Sequence, residues 1–154
     1  MIERLTPLLG RILIASLFLS DGIIRIGHFE LTASVVADEG VPWPQLAAAI
    51  AIVIDLAGAA MLAAGLFTRW AALALAAETL IAAFIVHDYW AAPLAQRPVE
   101  QILFFKDIAI IGGLVAVICY GAGPLSLDRD LAGRHRKRQA SRLPQPPRRF
   151  AASA

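Results

Sequence analysis

The sequence predicts an all-α integral membrane protein, a four-helix up-down bundle followed by a disordered basic tail. Three observations carry that prediction. Of 154 residues, 58% are hydrophobic and 17% charged, whereas soluble domains carry about 45–50% and about 25%. The apolar residues collect in four blocks, at about 8–28, 44–67, 70–88 and 101–120, each near the roughly 20 residues that cross a ~30 Å hydrocarbon core. The basic residues collect between and after these blocks. Four such helices in a water-soluble domain would leave almost no polar face for solvent.

In the first block, Arg4 and Arg11 precede the apolar run Ile12–Leu19, the arrangement of a signal peptide. No small-x-small cleavage site follows, and Asp21, Gly22 and Arg25 continue the helix, so the block reads as a retained span. The loop 29–43 ends in Val41-Pro-Trp-Pro44, whose prolines set the start of the second span. Gly65-Leu-Phe-Thr-Arg69 is a turn short enough to force antiparallel neighbours for spans two and three. Cys119 is the only cysteine, which excludes an intramolecular disulfide and a dithiol pair. It is expected to pack as a small hydrophobe. Glycines 58, 65, 112 and 113 are expected at close helix–helix contacts.

Charge sets the expected orientation. Arg4, Arg11, Arg69 and the basic residues beyond Asp128 fall on one side of four spans. The other side holds Arg97 against Glu30, Asp38, Glu39 and Asp88. The positive-inside rule then puts both termini on the cytoplasmic side. Trp43, Tyr89 and Trp90 would lie at the outer interface and Trp70 at the inner one. Residues 129–154, with Arg134-His-Arg-Lys-Arg138, lack apolar periodicity and are expected to be disordered. A tail tethered beside the membrane is better suited to anionic lipid than to nucleic acid.

Six ionisable side chains interrupt the apolar blocks: Asp21, Arg25, Asp55, Glu78, Lys106 and Asp107. Each costs at least ~2.5–3.5 kcal/mol in hydrocarbon unless it finds a partner, a proton or a water cavity. Four are acidic and two basic, leaving two carboxylates without an obvious counter-ion. Asp21, Arg25 and His28 share one helix face at i, i+4 and i+7. In a closed ring spans one and four are neighbours, so Arg25 is expected to pair with Asp21 or Asp107. Lys106 and Asp107 are consecutive and point about 100° apart, so one is expected to face a seam or snorkel outward. Asp55 and Glu78 lie near mid-span and, unpartnered there, are expected to carry protons. His28 and His87 cap their spans on the outer side; as a haem-ligand pair they would lack the buried second shell that haem needs. No metal site is expected.

Four passages together resemble the DoxX family of small bacterial membrane proteins. They are Gly10-Arg-Ile-Leu-Ile with Ser20-Asp-Gly-Ile-Ile-Arg-Ile26; Asp55-Leu-Ala-Gly with Gly65-Leu-Phe-Thr-Arg69; Ala83-Phe-Ile-Val-His-Asp-Tyr-Trp90; and Phe105-Lys-Asp-Ile-Ala-Ile-Ile-Gly-Gly113 with Gly121-Ala-Gly-Pro-Leu-Ser-Leu-Asp128. The family often has Lys at the place of Arg25, Glu at that of Asp55 and Asn at that of Asp107. Glu78 matches no motif of the family. The resemblance implies association with quinol oxidase, thiosulfate–quinone or thiol-stress systems of the membrane. The chain itself shows no Rossmann fingerprint, iron–sulfur cysteine set or zinc motif.

The function expected on these grounds is an accessory subunit of a membrane redox system. Its polar cavity would open to the periplasm and be lined by Asp21, Arg25, Asp55, Glu78, His87, Lys106 and Asp107, with a quinone head group as a fitting ligand and redox enzyme subunits or a second copy as partners. The alternatives are a small-molecule or proton-coupled transporter using Asp55 and Glu78, and an assembly protein whose charges only fix helix register. No catalytic residue is identified.

Overall fold

The structure is a computed structural model and describes residues 2–133. Its elements are α1 (Ile2–Gly27), α2 (Phe29–Asp38), α3 (Pro44–Ala64), α4 (Thr68–Ile85) and α5 (Arg97–Tyr120). Four of these are long and apolar enough to cross a membrane: Arg4–Gly27 within α1, and the whole of α3, α4 and α5. They run up, down, up and down. One end of the bundle carries the N-terminus and the tight α3–α4 turn, and the opposite end carries α2 and the α4–α5 connection.

α2 corrects the expectation of a loop at 29–43. The chain bends at His28, where the Thr32 hydroxyl donates to the His28 carbonyl at 3.1 Å, and ten further residues form a helix. Glu30 at its start favours the helix dipole, while Ala33 buries against the bundle. α2 packs mainly on α3.

Two boundaries also shift. α5 begins at Arg97 rather than 101, because Pro98 sits in its first turn, where its missing N–H costs nothing. Lys106 and Asp107 therefore lie near the middle of α5. Residues 127–133 are helical, which corrects the disorder expected from 129 onward. The rest of the basic tail lies outside the described residues.

The core is small and alanine-rich. Ala15, Phe18, Ala59, Leu62, Ala72, Leu75, Ala76 and Leu114 form one buried cluster, and such small side chains let helices approach closely where no hydrophobic effect drives them together. α1 packs chiefly on α3 and α5 chiefly on α4, with the α3–α4 seam joining the pairs. The expected α1–α5 neighbourhood is the thinnest seam of the ring. Gly58 is a close approach, since a Cβ there would meet Leu75 Cδ2 at 2.9 Å. Gly112 is not, having nothing within 4 Å. Cys119 is exposed on the outer surface of α5 instead of packed inside.

The α3–α4 turn is held from outside itself. Leu66 N–H bonds the Met61 carbonyl at 2.9 Å and Gly65 N–H the Leu62 carbonyl at 3.2 Å, with Gly65 in the left-handed region at φ 69°. Phe67 follows at φ 45°, a conformation that strains a bulky residue. Asp128 holds it there. Its Oδ1 accepts from Phe67 N–H at 2.7 Å, and its Oδ2 from Thr68 N–H at 3.0 Å and the Thr68 hydroxyl at 2.8 Å. Arg11, 1% exposed, completes the lock by donating to the carbonyls of Pro7, Leu62 and Leu125. A cation thus sits at the C-terminus of α3 and an anion at the N-terminus of α4, as both helix dipoles favour.

Candidate functional site

The remaining charges of the four spans gather away from this turn. α1 carries Asp21 and Arg25 on one face, α3 brings Asp55, α4 brings Glu78 and Thr79, and α5 brings Lys106 and Asp107. The α4–α5 connection supplies His87. Its position is fixed by an aromatic cluster in which Phe104 meets Phe84, Tyr89 and Trp90 with ring centroids 5.4–5.6 Å apart. All seven residues singled out in the sequence line one small chamber of about 50 Å³, enough for water or a small polar group.

Arg25 is the hub. Its Nη1 donates to Glu78 Oε1 at 3.0 Å and stands 3.1 Å from Asp55 Oδ2. The expected partners, Asp21 and Asp107, are not paired with it. The expectation assumed that α1 lies against α5, whereas α1 packs on α3 and faces Asp55. Gly22 makes that approach possible: a Cβ there would stand 2.8 Å from Leu56 Cγ and 3.2 Å from Asp55 Cβ. Asp55 and Glu78 are therefore not partnerless, as the sequence suggested; they share one guanidinium. Asp55 Oδ2 is buried and makes no hydrogen bond despite its distance to Arg25, so that contact is electrostatic and poorly aligned.

A second group lies on the α5 side. Asp107 Oδ1 is 3.4 Å from Lys106 Nζ, and its Oδ2 is 3.9 Å from His87 Nε2. Lys106 and Asp107 leave the helix in different directions, but the long lysine stem returns its ammonium to the neighbouring carboxylate, so both line the chamber. His87 Nδ1 lies 2.9 Å from Glu100 Oε2. Sequence reading missed Glu100 because it falls just before the apolar block assigned to the fourth span. Its i, i+7 spacing from Asp107 was the available signal.

A much larger groove of about 880 Å³ adjoins the chamber. Its walls are apolar, among them Leu31, Val35, Ile54, Ala77 and Ile81 from α2, α3 and α4. Arg25, Glu78, Ala82 and His87 line both spaces, so the groove ends on the polar hub. His28 also lines the groove, with Nδ1 3.1 Å from the Ile24 carbonyl. Among the described residues, no three His, Cys, Asp or Glu side chains converge as metal ligands do.

The DoxX family model matches residues 6–88, just over half of the chain. The chain belongs to the DoxX family. In Escherichia coli K12, the inner membrane protein YphA is 34% identical over 122 residues, covering 79% of this chain and 87% of the relative. The inner membrane protein YqjF is 30% identical over 128 residues, covering 83% and 93%. No solved structure matches the chain. The matched DoxX region takes in α1 to α4 and His87, hence Asp21, Arg25, Asp55 and Glu78, and stops before Lys106 and Asp107. With its four apolar helices, this DoxX protein is a multi-pass membrane protein, and its relatives support a bacterial inner membrane as its place.

Proposed function

We propose that this chain is an accessory subunit of a membrane redox system that holds a quinone-type amphiphile, with its polar head at Arg25 and His87 and its apolar tail in the groove. The observation that carries the reading is the sharing of Arg25, Glu78 and His87 between the charged chamber and the apolar groove. The chamber alone is too small for a ring-sized head group. Apolar walls with a few convergent polar groups are the usual form of a small-molecule site. Arg25 can donate to a carbonyl oxygen, and its position between two carboxylates leaves part of its donor fork free.

The carboxylates suit proton exchange. Asp21, Asp55, Glu78 and Asp107 outnumber Arg25 and Lys106 around the chamber, and intramembrane groups in excess of their counter-ions are typical of proton-handling sites. A quinone reduced to its quinol takes up two electrons and two protons; a partner dehydrogenase would supply the electrons and this chamber the protons. By the positive-inside rule both termini would face the cytoplasm, and the chamber would then lie toward the periplasm. A reporter fused after Ala154 should read cytoplasmic.

Binding of a short-tailed ubiquinone analogue to the purified protein tests the reading. Ala77→Phe fills the groove without touching a charge and should abolish binding, and Arg25→Gln should weaken it about tenfold, the loss of one hydrogen bond to a charged group. Absence of binding to the wild-type chain would overturn the proposal. Proton or solute flux in liposomes that vanishes in Asp55→Asn would favour a transporter instead.

A further inference from the structure

We propose that the turn end of the bundle carries a second site, for the phosphate of an anionic phospholipid. A cleft of about 450 Å³ lies between the α3–α4 turn and the segment after α5, lined by Thr68, Arg69, Trp70, Ser126, Asp128 and Arg129 among others. It is separate from the chamber and groove and shares no residue with them.

Two guanidiniums face this cleft without a carboxylate partner. Among the described residues, neither Arg69 nor Arg129 forms an ion pair, and Arg69 Nη2 donates to the Cys119 carbonyl at 3.3 Å. Asp128 does not fill that role. Both its oxygens are taken up by Phe67 and Thr68, and the nearby buried cation Arg11 offsets its charge. Arg11, Arg69 and Arg129 against Asp128 and Asp130 leave one positive charge. A guanidinium's planar fork matches two phosphate oxygens at once, and two such forks across one cleft suit a phosphodiester monoanion.

The surroundings select a lipid over a free anion. The cleft lies where α4 begins and α5 ends, at the margin of the apolar spans. Its lining includes Trp70, 71% exposed, and Tyr120, next in sequence to the lining residue Gly121, is 88% exposed, the amphipathic rings expected at headgroup level. Leu125 and Leu127 are exposed next to the cleft and offer apolar contact to the acyl chains of a lipid whose phosphate is seated there. A soluble phosphate would leave those surfaces uncovered.

Native mass spectrometry of the delipidated full chain in detergent, titrated with phosphatidylglycerol or with phosphatidylcholine of the same chain length, tests this. The expected result is preferential retention of one phosphatidylglycerol. Arg69→Gln and Arg129→Gln should each weaken that retention about fivefold, as for one basic residue near an anionic headgroup, with phosphatidylcholine unchanged. Equal retention of the two lipids overturns the proposal. So does a phosphatidylglycerol preference that survives both substitutions, which would belong to the basic tail, or displacement by inorganic phosphate, which would make this a free-anion site. Arg129 is exposed on the segment after α5, so Arg129→Gln keeps the test readable if Arg69→Gln does not fold.

Discussion

Arg11 and Arg25 stand on the same helix, fourteen residues apart, and so within about 40° of one face and ~21 Å along the axis. Their surroundings differ in kind. Arg11 is 1% exposed and is met by neutral carbonyls. The Arg25 side chain is 30% exposed and is met by two carboxylates beside two cavities. A carbonyl has one state, whereas a carboxylate has two. The first environment can only hold a shape, and the second can change charge while keeping it. That contrast separates the structural end of this DoxX protein from its chemical end, the one proposed to bind and exchange protons.

The largest effect should follow from breaking the structural end. Arg11→Leu leaves the Leu62 and Leu125 carbonyls without their charged donor and frees the strap over the α3–α4 turn. Hydrogen bonds to charged groups contribute about 1.5–3 kcal/mol each, so a loss of about 4 kcal/mol is expected, read as a large fall in the detergent melting temperature. Arg11→Lys should recover only part of it, because one ammonium nitrogen replaces the two spaced nitrogens that meet Leu62 and Leu125 separately. A near-normal melting temperature for Arg11→Leu would make the lock ornamental.

Arg25→Gln should cost less stability although it strands two carboxylates, because protons can replace the guanidinium. A loss of about 2 kcal/mol is expected, and Arg25→Gln with Asp55→Asn should lose less than Arg25→Gln alone, the sign of coupling through a buried charge. A double-mutant cycle by thermal unfolding measures it. Additive losses would mean that the 3.1 Å approach of Arg25 to Asp55 carries no interaction energy.

How much of this contrast the sequence showed follows from what periodicity can encode. The four spans were legible because a span is a local property of composition, and the charged residues stood out for the same reason. The pairing of Arg25 with Asp55 and Glu78 was not, because it depends on which helices adjoin and how each is rotated. Gly22, which lets α1 approach α3 at Asp55, looks in the sequence like any other glycine. Arg11 looks in the sequence like an orienting charge at the membrane edge, since nothing local distinguishes a guanidinium bound to carbonyls 51 and 114 residues away from one in water. α2 looks like a loop in the sequence because ten residues between His28 and Glu39 fall short of any spanning signal.

Acid sharpens the comparison at intermediate size. Burial would raise the Asp128 carboxyl, but the Thr68 and Phe67 hydrogen bonds and the charge of Arg11 outweigh it and hold the group below its ordinary value. A carboxyl lowered on folding stabilises fully above its unfolded value, about 3.9. That contribution is lost as pH falls through the lower folded value. Protection of the Phe67 and Thr68 amides, relative to free amides at the same pH, should therefore hold down to about pH 4 and fall below it. In Asp128→Asn both amides should be less protected above about pH 4, with the acid step gone and about 1–2 kcal/mol of stability lost there, as for a helix N-cap. An acid step that persists in Asp128→Asn would assign it to another carboxyl.

The smallest effect should come from Lys106, and it bears on the chemical end alone. Its side chain is 45% exposed and its ammonium stands 3.4 Å from Asp107 Oδ1, a contact of the kind that contributes roughly 0–1 kcal/mol. Lys106→Gln should leave the melting temperature nearly unchanged, because Asp107 keeps His87 as a neighbour and the glutamine can still reach the chamber's edge. The change in charge is another matter. It takes one of two cations from a space already rich in carboxylates, so a bound quinone analogue should bind with a different pH dependence while the fold stays intact. A parallel loss of stability and binding would show that Lys106 is structural, as Arg11 is, and that the two ends of the bundle do not divide as the surroundings of the two arginines indicate.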